Sequence, residues 1–305
     1  MLATRLVFRT LFKLWVVLTI VFLAGRWLPG DPVSALLGPG LNDPETIAIL
    51  TRAHGLDRPL LEQYAAFGLD LLQGNLGKSF HSGAPVASEI RSRIGVSAFL
   101  GGAAFLAAMV VGVPLGFYLA YHRGTLRDSV ITVALALCHS VPVFVVGLGF
   151  LYVGSYQLHW FPVLVGASPS SWILPIAALA LPITGFLARS TRQIVLIVLG
   201  RVNLLTLHGF GIESRTIWFH HVLRNSAPQV LYVSSMGLAY TLAGNVFIEM
   251  LFSCPGVGQL LAQSVLTRDY PVLQATIVLI AVVFVSLNLA ADILRAALDP
   301  RQAAL

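Results

Sequence analysis

The chain alternates between long apolar runs and short polar segments in which arginine recurs. Residues 129–188 contain no Asp, Glu, Lys or Arg, and 94–121, 226–248 and 270–291 are equally bare. A helix rises about 1.5 Å per residue, so about 20 apolar residues cross the hydrocarbon core of a bilayer. The pattern therefore predicts membrane-spanning helices near 9–28, 95–121, 130–153, 172–197, 228–251 and 273–296. Several carry proline, as at Pro114, Pro142, Pro175 and Pro182. Membrane helices tolerate it because neighbours re-satisfy the freed backbone groups.

The first run, "LWVVLTIVFLAG", follows Arg5, Arg9 and Lys13 as a signal peptide would. "RWLPGDP" comes next and offers no small-x-small cleavage site, so an uncleaved signal anchor is expected. Basic residues then set the orientation, because short cytoplasmic loops are enriched in Lys and Arg. They cluster at the N-terminus, at Arg123 and Arg127, around Arg189, Arg192, Arg201, Arg215 and Arg224, and at Arg295 and Arg301. With six spans these regions share one side, so both termini are expected in the cytoplasm. Residues 29–93 then form an extracytoplasmic segment. In it "NDPETIAILTRAHGL" and "RPLLEQYAAFGLDLL" read as short helices and "GNLGKSF" as a turn.

Composition supports a bilayer setting. The 305 residues are 57% hydrophobic and 10% charged, against about 25% charged in soluble domains. So few charges cannot cover a soluble surface. The net charge of +6 would suit nucleic acid, but the arginines punctuate apolar runs, which points to loop anchoring at a lipid surface and to no nucleic-acid partner. Two cysteines far apart, Cys138 and Cys254, imply neither a disulfide framework nor a metal site.

Catalytic signatures are missing. There is no phosphate-cradling P-loop, no HExxH and no nucleophile elbow. His220 and His221 are adjacent, so a helix points them about 100° apart, a poor geometry for one metal. The spans are almost free of the ionisable groups that mark proton- or ion-driven transport. Glu249 and Asp292 fall near span ends, where both reach interfacial water. Energy is therefore expected from a partner. His139 lies mid-span, either as an interhelical hydrogen-bonding group near Ser140 or as part of a pathway. Glu249 is a gate or pathway residue, or a polar group in helix packing.

One polar island stands out, "TLHGFGIESRTIWFHHVLRN" at 206–225. "RVNLLTLH" can form a short helix whose Leu204, Leu205 and Leu207 seek a partner surface. Gly209 and Gly211 permit a sharp turn, and "IESRTIWFHHVL" restarts a helix. Asn225 or Ser226 is expected to cap the next span, with Pro228 in its first turn. The plainer alternative is a connector folded against the membrane. Near the other side, "CPGVG" at 254–258 reads as a tight turn that starts an interfacial or re-entrant helix.

Five stretches carry a resemblance: "LPGDP" at 28–32, "GNLGKSFHSGAPV" at 74–86, "LRN" at 223–225, "EMLFSCPGVGQLL" at 249–261 and "RDYPVLQA" at 268–275. With the closing "ALDPR" they span nearly the whole chain in order. The chain resembles the inner-membrane permeases of dipeptide, oligopeptide and nickel ABC importers, specifically the member of the pair with the large outer loop. The resemblance implies an all-α integral membrane protein of about six transmembrane helices, similar to type I ABC importer permeases, with a small extracytoplasmic segment after the first helix. Its parts are residues 1–28, the segment 29–93, and a five-helix core 94–305 with a cytoplasmic coupling loop at about 198–227.

The same resemblance implies partners: a second homologous permease in a heterodimer, two ABC ATPases that hold ATP and Mg, and an extracytoplasmic solute-binding protein. No cofactor is expected in this chain. The coupling loop is assigned to Leu204, Leu205, Thr206, Leu207, Gly209, Gly211, Glu213 and Arg215, and an outer gate or pathway to Glu249, Pro255, Gly256 and His139. Leu207 and Gly209 stand where the family usually has alanine, and Val202 and Leu205 replace residues that are commonly polar. Short peptides and nickel or metal chelates both remain open as substrates. A scaffold or enzyme without transport is the reading from another class.

Overall fold

The computed structural model describes residues 2–27, 45, 49, 51–52, 57–166, 168–201, 213 and 216–298. Among them every regular element is helical, apart from one isolated antiparallel bridge between Lys78 and Pro85. In chain order the helices are α1 (Leu2–Trp27), α2 (Leu60–Leu72), α3 (Val86–Tyr121), α4 (Leu126–Ser140), α5 (Val143–Phe150), α6 (Ile173–Arg201), α7 (Arg224–Leu251), α8 (Val257–Thr267) and α9 (Tyr270–Leu298). A π-helical turn, Leu151–Gln157, prolongs α5, and another, Ile217–Leu223, leads into α7.

Three stretches, Val86–Tyr121, Pro169–Gly200 and Tyr270–Ala296, are long and apolar enough to cross a membrane, and two bent helix pairs raise the number to five among the described residues. Residues 9–27 of the first expected span lie in the 26-residue α1, which is not among these five. The span expected at 130–153 is not a single helix. Its two halves, Leu126–Ser140 and Val143–Gln157, meet at 100°. Pro142 has no N–H to continue α4, and it forces Val141 into an extended conformation (ψ 127°). The cap expected at Asn225 or Ser226 is also corrected. Both lie inside continuous helix, and the Ser226 hydroxyl donates back to the Val222 carbonyl at 2.8 Å. Of the two outer helices expected, the second is α2. The first lies mostly outside the described residues.

The described residues divide into two compact units, Met1–Ser97 with Pro255–Val285 and Ala98–Cys254 with Ser286–Leu305. In the first unit α2 packs on α1. The Thr19 and Tyr64 hydroxyls lie 2.7 Å apart, and Phe22 meets the Tyr64 ring edge-on at 5.2 Å. Glu62 in the first turn of α2 complements its positive end. Val86 and Ile90 at the start of α3 form a core with Leu260, Val272 and Ala275.

In the second unit α6 is the central helix. Small residues let its neighbours approach. A Cβ on Gly116 of α3 would lie 2.6 Å from the Ala188 carbonyl oxygen and 2.5 Å from the Thr191 Cβ. A Cβ on Gly185 of α6 would lie 2.7 Å from the Leu135 carbonyl oxygen of α4. Backbone-to-backbone contact of this kind suits a bilayer, where dispersion and close packing replace the hydrophobic drive between helices.

Candidate functional site

The cytoplasmic loop expected at about 198–227 is described only at its two ends. Leu204, Leu205, Thr206, Leu207, Gly209, Gly211 and Arg215 lie outside the described residues. Glu213 is exposed, and its carbonyl accepts the Ile217 amide at 3.1 Å, which starts the returning turn. The two ends are held together. Val195 and Leu199 at the end of α6 form one buried cluster with Ile217 and Val222 of the π-helical turn and Ala120 of α3. Trp218 packs against this cluster and meets Tyr121 edge-on at 5.2 Å. The described ends of the loop therefore meet in one apolar cluster, beside a pocket of about 770 Å³ that Phe117, Tyr121, Glu213 and Trp218 line.

One helical turn from that cluster stands an ion pair. Arg192 on α6 grips Asp128 with two parallel bonds, Nε to Oδ1 and Nη2 to Oδ2, each 2.7 Å. Asp128 is 2% exposed. Its Oδ2 also accepts the Gly124 amide at 3.1 Å, and its Oδ1 the Thr132 hydroxyl at 3.4 Å. Its own amide donates to Thr125 Oγ1, the N-cap of α4. The carboxylate thus joins the 122–125 turn, the start of α4 and α6. Bidentate guanidinium–carboxylate geometry fixes orientation as well as distance.

Where α4 ends, beside α6, lies a cavity of about 380 Å³ at the α4–α5 break. His139, Pro142 and Phe144 line it from the break, Pro182 from α6, and Tyr240 and Phe247 from α7. His139 Nδ1 lies 3.1 Å from the Pro182 carbonyl. A carbonyl only accepts, so Nδ1 carries the proton. The interhelical bond read for His139 from the sequence is present, and the same residue lines the cavity. The walls are aromatic and apolar with few polar groups, the usual make-up of a small-molecule site.

The other expected gate residues are not in this cavity. Glu249 sits near the end of α7, where the sequence suggested contact with interfacial water, but it is fully buried. The packing of α7 encloses it, a feature that sequence position alone does not reveal. Its carbonyl accepts the Cys254 amide at 2.9 Å. Burial pushes the Cys254 thiol up to about 12, and the Glu249 charge adds to the shift. Pro255 and Gly256 form the turn into α8, with Gly256 as its N-cap.

In the first unit two of the quoted stretches meet. Asp269 is 4% exposed and accepts the Ser79 hydroxyl at 2.5 Å, the Phe80 amide at 3.1 Å and the His81 amide at 3.2 Å. It also stands at the N-cap of α9, where its backbone carbonyl accepts the Leu273 amide. This one carboxylate pins the 77–86 hairpin to the α8–α9 corner.

Sequence reasoning missed Asp128, Arg192 and Asp269. For two of them a signal exists: Thr125 precedes Asp128 by three residues, as in a helix-capping pattern, and Asp269 directly precedes an apolar helix. Among the described residues no group of three or more His, Cys, Asp or Glu is placed to hold a metal ion.

Comparison with known proteins matches residues 112–304 to the family described as binding-protein-dependent transport system inner membrane component. The probable peptide ABC transporter permease protein y4tP of Sinorhizobium fredii is 32% identical over 289 residues, covering 92% of each chain. The glutathione transport system permease protein GsiC of Escherichia coli K12 is 33% identical over 287 residues, covering 94% of each. Among solved structures, a chain of the MetNI methionine ABC transporter in an inward-facing conformation matches with a TM-score of 0.59 at 14% identity. It covers 70% of this chain and 98% of that one. That likeness concerns the fold.

Proposed function

The chain belongs to the family of binding-protein-dependent transport system inner membrane components, and from that premise we infer that it is a permease subunit of an ABC importer that moves short peptides across the cytoplasmic membrane. The observation that carries the substrate class is the likeness, across more than nine-tenths of the chain, to a peptide permease and a glutathione permease. The chain works as a transport subunit. ATP and Mg act on two partner ATPases, a solute-binding protein delivers substrate, and a second homologous permease completes the pathway. The chain itself holds no cofactor. Both termini face the cytoplasm, and the loop at about 198–227 meets the ATPases.

Alternating access then needs two features on one chain: a surface that receives ATPase motion and a pathway wall that moves with it. α6 supports both roles. Its end enters the clustered base of the loop, and its middle, at Leu179, Pro182 and Ile183, lines the cavity at the α4–α5 break. His139 is the pathway residue on this reading. Glu249, Pro255 and Gly256 belong to the outer side.

The test is reconstitution. The tagged chain is purified from its native membrane with whatever binds it, placed in vesicles, and supplied with the solute-binding protein. Labelled di- and tripeptides are expected to enter only with ATP inside the coupled compartment and the binding protein outside. Uptake of nickel chelates but of no peptide overturns the substrate assignment, and absence of any ATPase from the purified complex overturns the importer reading. Orientation has its own test: a cysteine at Ser82 should react with an impermeant maleimide from outside, and one at Ser214 should not. The reverse result inverts the topology.

A further inference from the structure

We propose that the Asp128–Arg192 ion pair is the positioning element that makes α4 and α6 move as one lever between the cytoplasmic loop and the pathway cavity; this rests on the importer reading above.

Four observations support it. First, the pair stands between the two places that must communicate. Along α6, Arg192 is ten residues from Pro182 at the cavity and nine from Arg201 at the loop, about 15 Å and 14 Å at the helical rise. Second, it joins the two helices that form neighbouring walls of that cavity. α4 brings His139 and Ser140, and α6 brings Leu179, Pro182 and Ile183. Third, the two helices are fastened again at the far end, by His139 Nδ1 donating to the Pro182 carbonyl at 3.1 Å. Between the fastenings the helices touch directly, where Gly185 faces the Leu135 carbonyl oxygen and Leu135 and Ala188 share a buried cluster. Fourth, α4 ends just beyond the second fastening, at the 100° break. The pins thus lie along the length of the lever, and the chain changes direction at its end.

Apolar contact alone would let the two helices slide or rotate about each other at low cost. The ion pair removes that freedom, because a planar guanidinium meets both carboxylate oxygens and tolerates neither rotation nor a shift of one helical turn. Asp128 is itself fixed by the Gly124 amide and the Thr132 hydroxyl. The 122–125 turn therefore moves with the lever. A displacement at the loop base then reaches the cavity as motion of both α4 and α6, and the aperture at the α4–α5 break changes.

The experiment measures peptide imported per ATP hydrolysed by the reconstituted complex, normalised to assembled complex. Asp128→Asn and Arg192→Gln are expected to lower this ratio at least fivefold, and Arg192→Lys, which keeps the charge but not the fork, by an intermediate factor. A second variant separates positioning from folding: Asp128→Cys with Arg192→Cys, in a chain whose Cys138 and Cys254 are replaced by alanine, joined by a short bifunctional thiosulfonate. Cross-linking is expected to restore the ratio to at least half of the wild-type value, and reduction to remove it again. An unchanged ratio in the assembled single variants overturns the proposal. So does a cross-linked complex that assembles fully yet stays uncoupled, since the pair is then only structural. If the single variants do not assemble, the cross-linked arm alone decides. Failure of the wild-type complex to import any peptide falls on the importer reading instead, and is seen before any variant is made.

Discussion

Replacing Asp269 tests how firmly the outer hairpin is held. The carboxylate accepts the Ser79 hydroxyl at 2.5 Å and the Phe80 and His81 amides at 3.1 and 3.2 Å, in a site where it is 4% exposed. A hydrogen bond to a charged group contributes about 1.5–3 kcal/mol, and a buried donor left without an acceptor costs about 1–3 kcal/mol. Three such bonds are not additive, because the hairpin relaxes toward water when they are lost. Asp269→Ala is therefore expected to lower the local opening free energy of residues 77–83 by about 3–5 kcal/mol. Asp269→Asn is milder. Its Oδ1 still accepts the Phe80 amide, and the His81 amide keeps the Ser79 oxygen as a second acceptor, but the new NH2 faces the Ser79 hydroxyl and the His81 amide, donor against donor. About 1–2 kcal/mol is expected. The assay is amide hydrogen exchange of the 77–83 segment in the purified complex. Each 1.4 kcal/mol is tenfold in the opening constant, so Asp269→Ala should speed exchange by more than about 100-fold and Asp269→Asn by about tenfold. Exchange within twofold of wild type in Asp269→Ala, with the complex intact, refutes the idea that this carboxylate holds the hairpin.

Gly116→Val should lower the melting temperature of the complex, because its Cβ alone would come within 2.6 Å of the Ala188 backbone oxygen and α3 must move off α6; overpacking of this kind costs about 1–3 kcal/mol. Gly102→Ala, with nothing within 4 Å of the added Cβ in this chain, should leave the melting temperature nearly unchanged in the same assay. Cys254 should resist maleimide at pH 8 in the folded complex. Its thiol is buried and is pushed up to about 12, so it stays protonated and unreactive until the pH approaches that value. Rapid labelling of Cys254 at pH 8 without unfolding contradicts this burial.

Much of the architecture was legible from local sequence, and the reason is the solvent. In a bilayer every backbone N–H and C=O must be satisfied within the segment, so a long apolar run has little choice but helix. The bare stretches at 94–121 and 270–291 became α3 and α9 for that reason. Proline was harder to read. Pro114, Pro182 and Pro228 remain inside helices, whereas Pro142 separates two that meet at 100°. All four lack the same N–H. Neighbouring groups decide whether a helix continues past such a gap, and those neighbours come from other parts of the chain.

The long-range sites follow the same division. The sequence by itself determined the membrane setting, the helices, the polar island and the ordered stretches of a known family. It did not determine which charges would meet. Arg192 is one of several arginines near the expected cytoplasmic face, and each is explained equally well by loop anchoring. Only the packing of α4 against α6 brings Asp128 across 64 positions to meet it, and only the α8–α9 corner brings Asp269 across 190 positions to Ser79. A helix is specified by bonds four residues apart, and its pattern is written locally. An ion pair between helices depends on crossing points set by small residues such as Gly116 and Gly185, whose meaning appears only once the backbone they touch is in place.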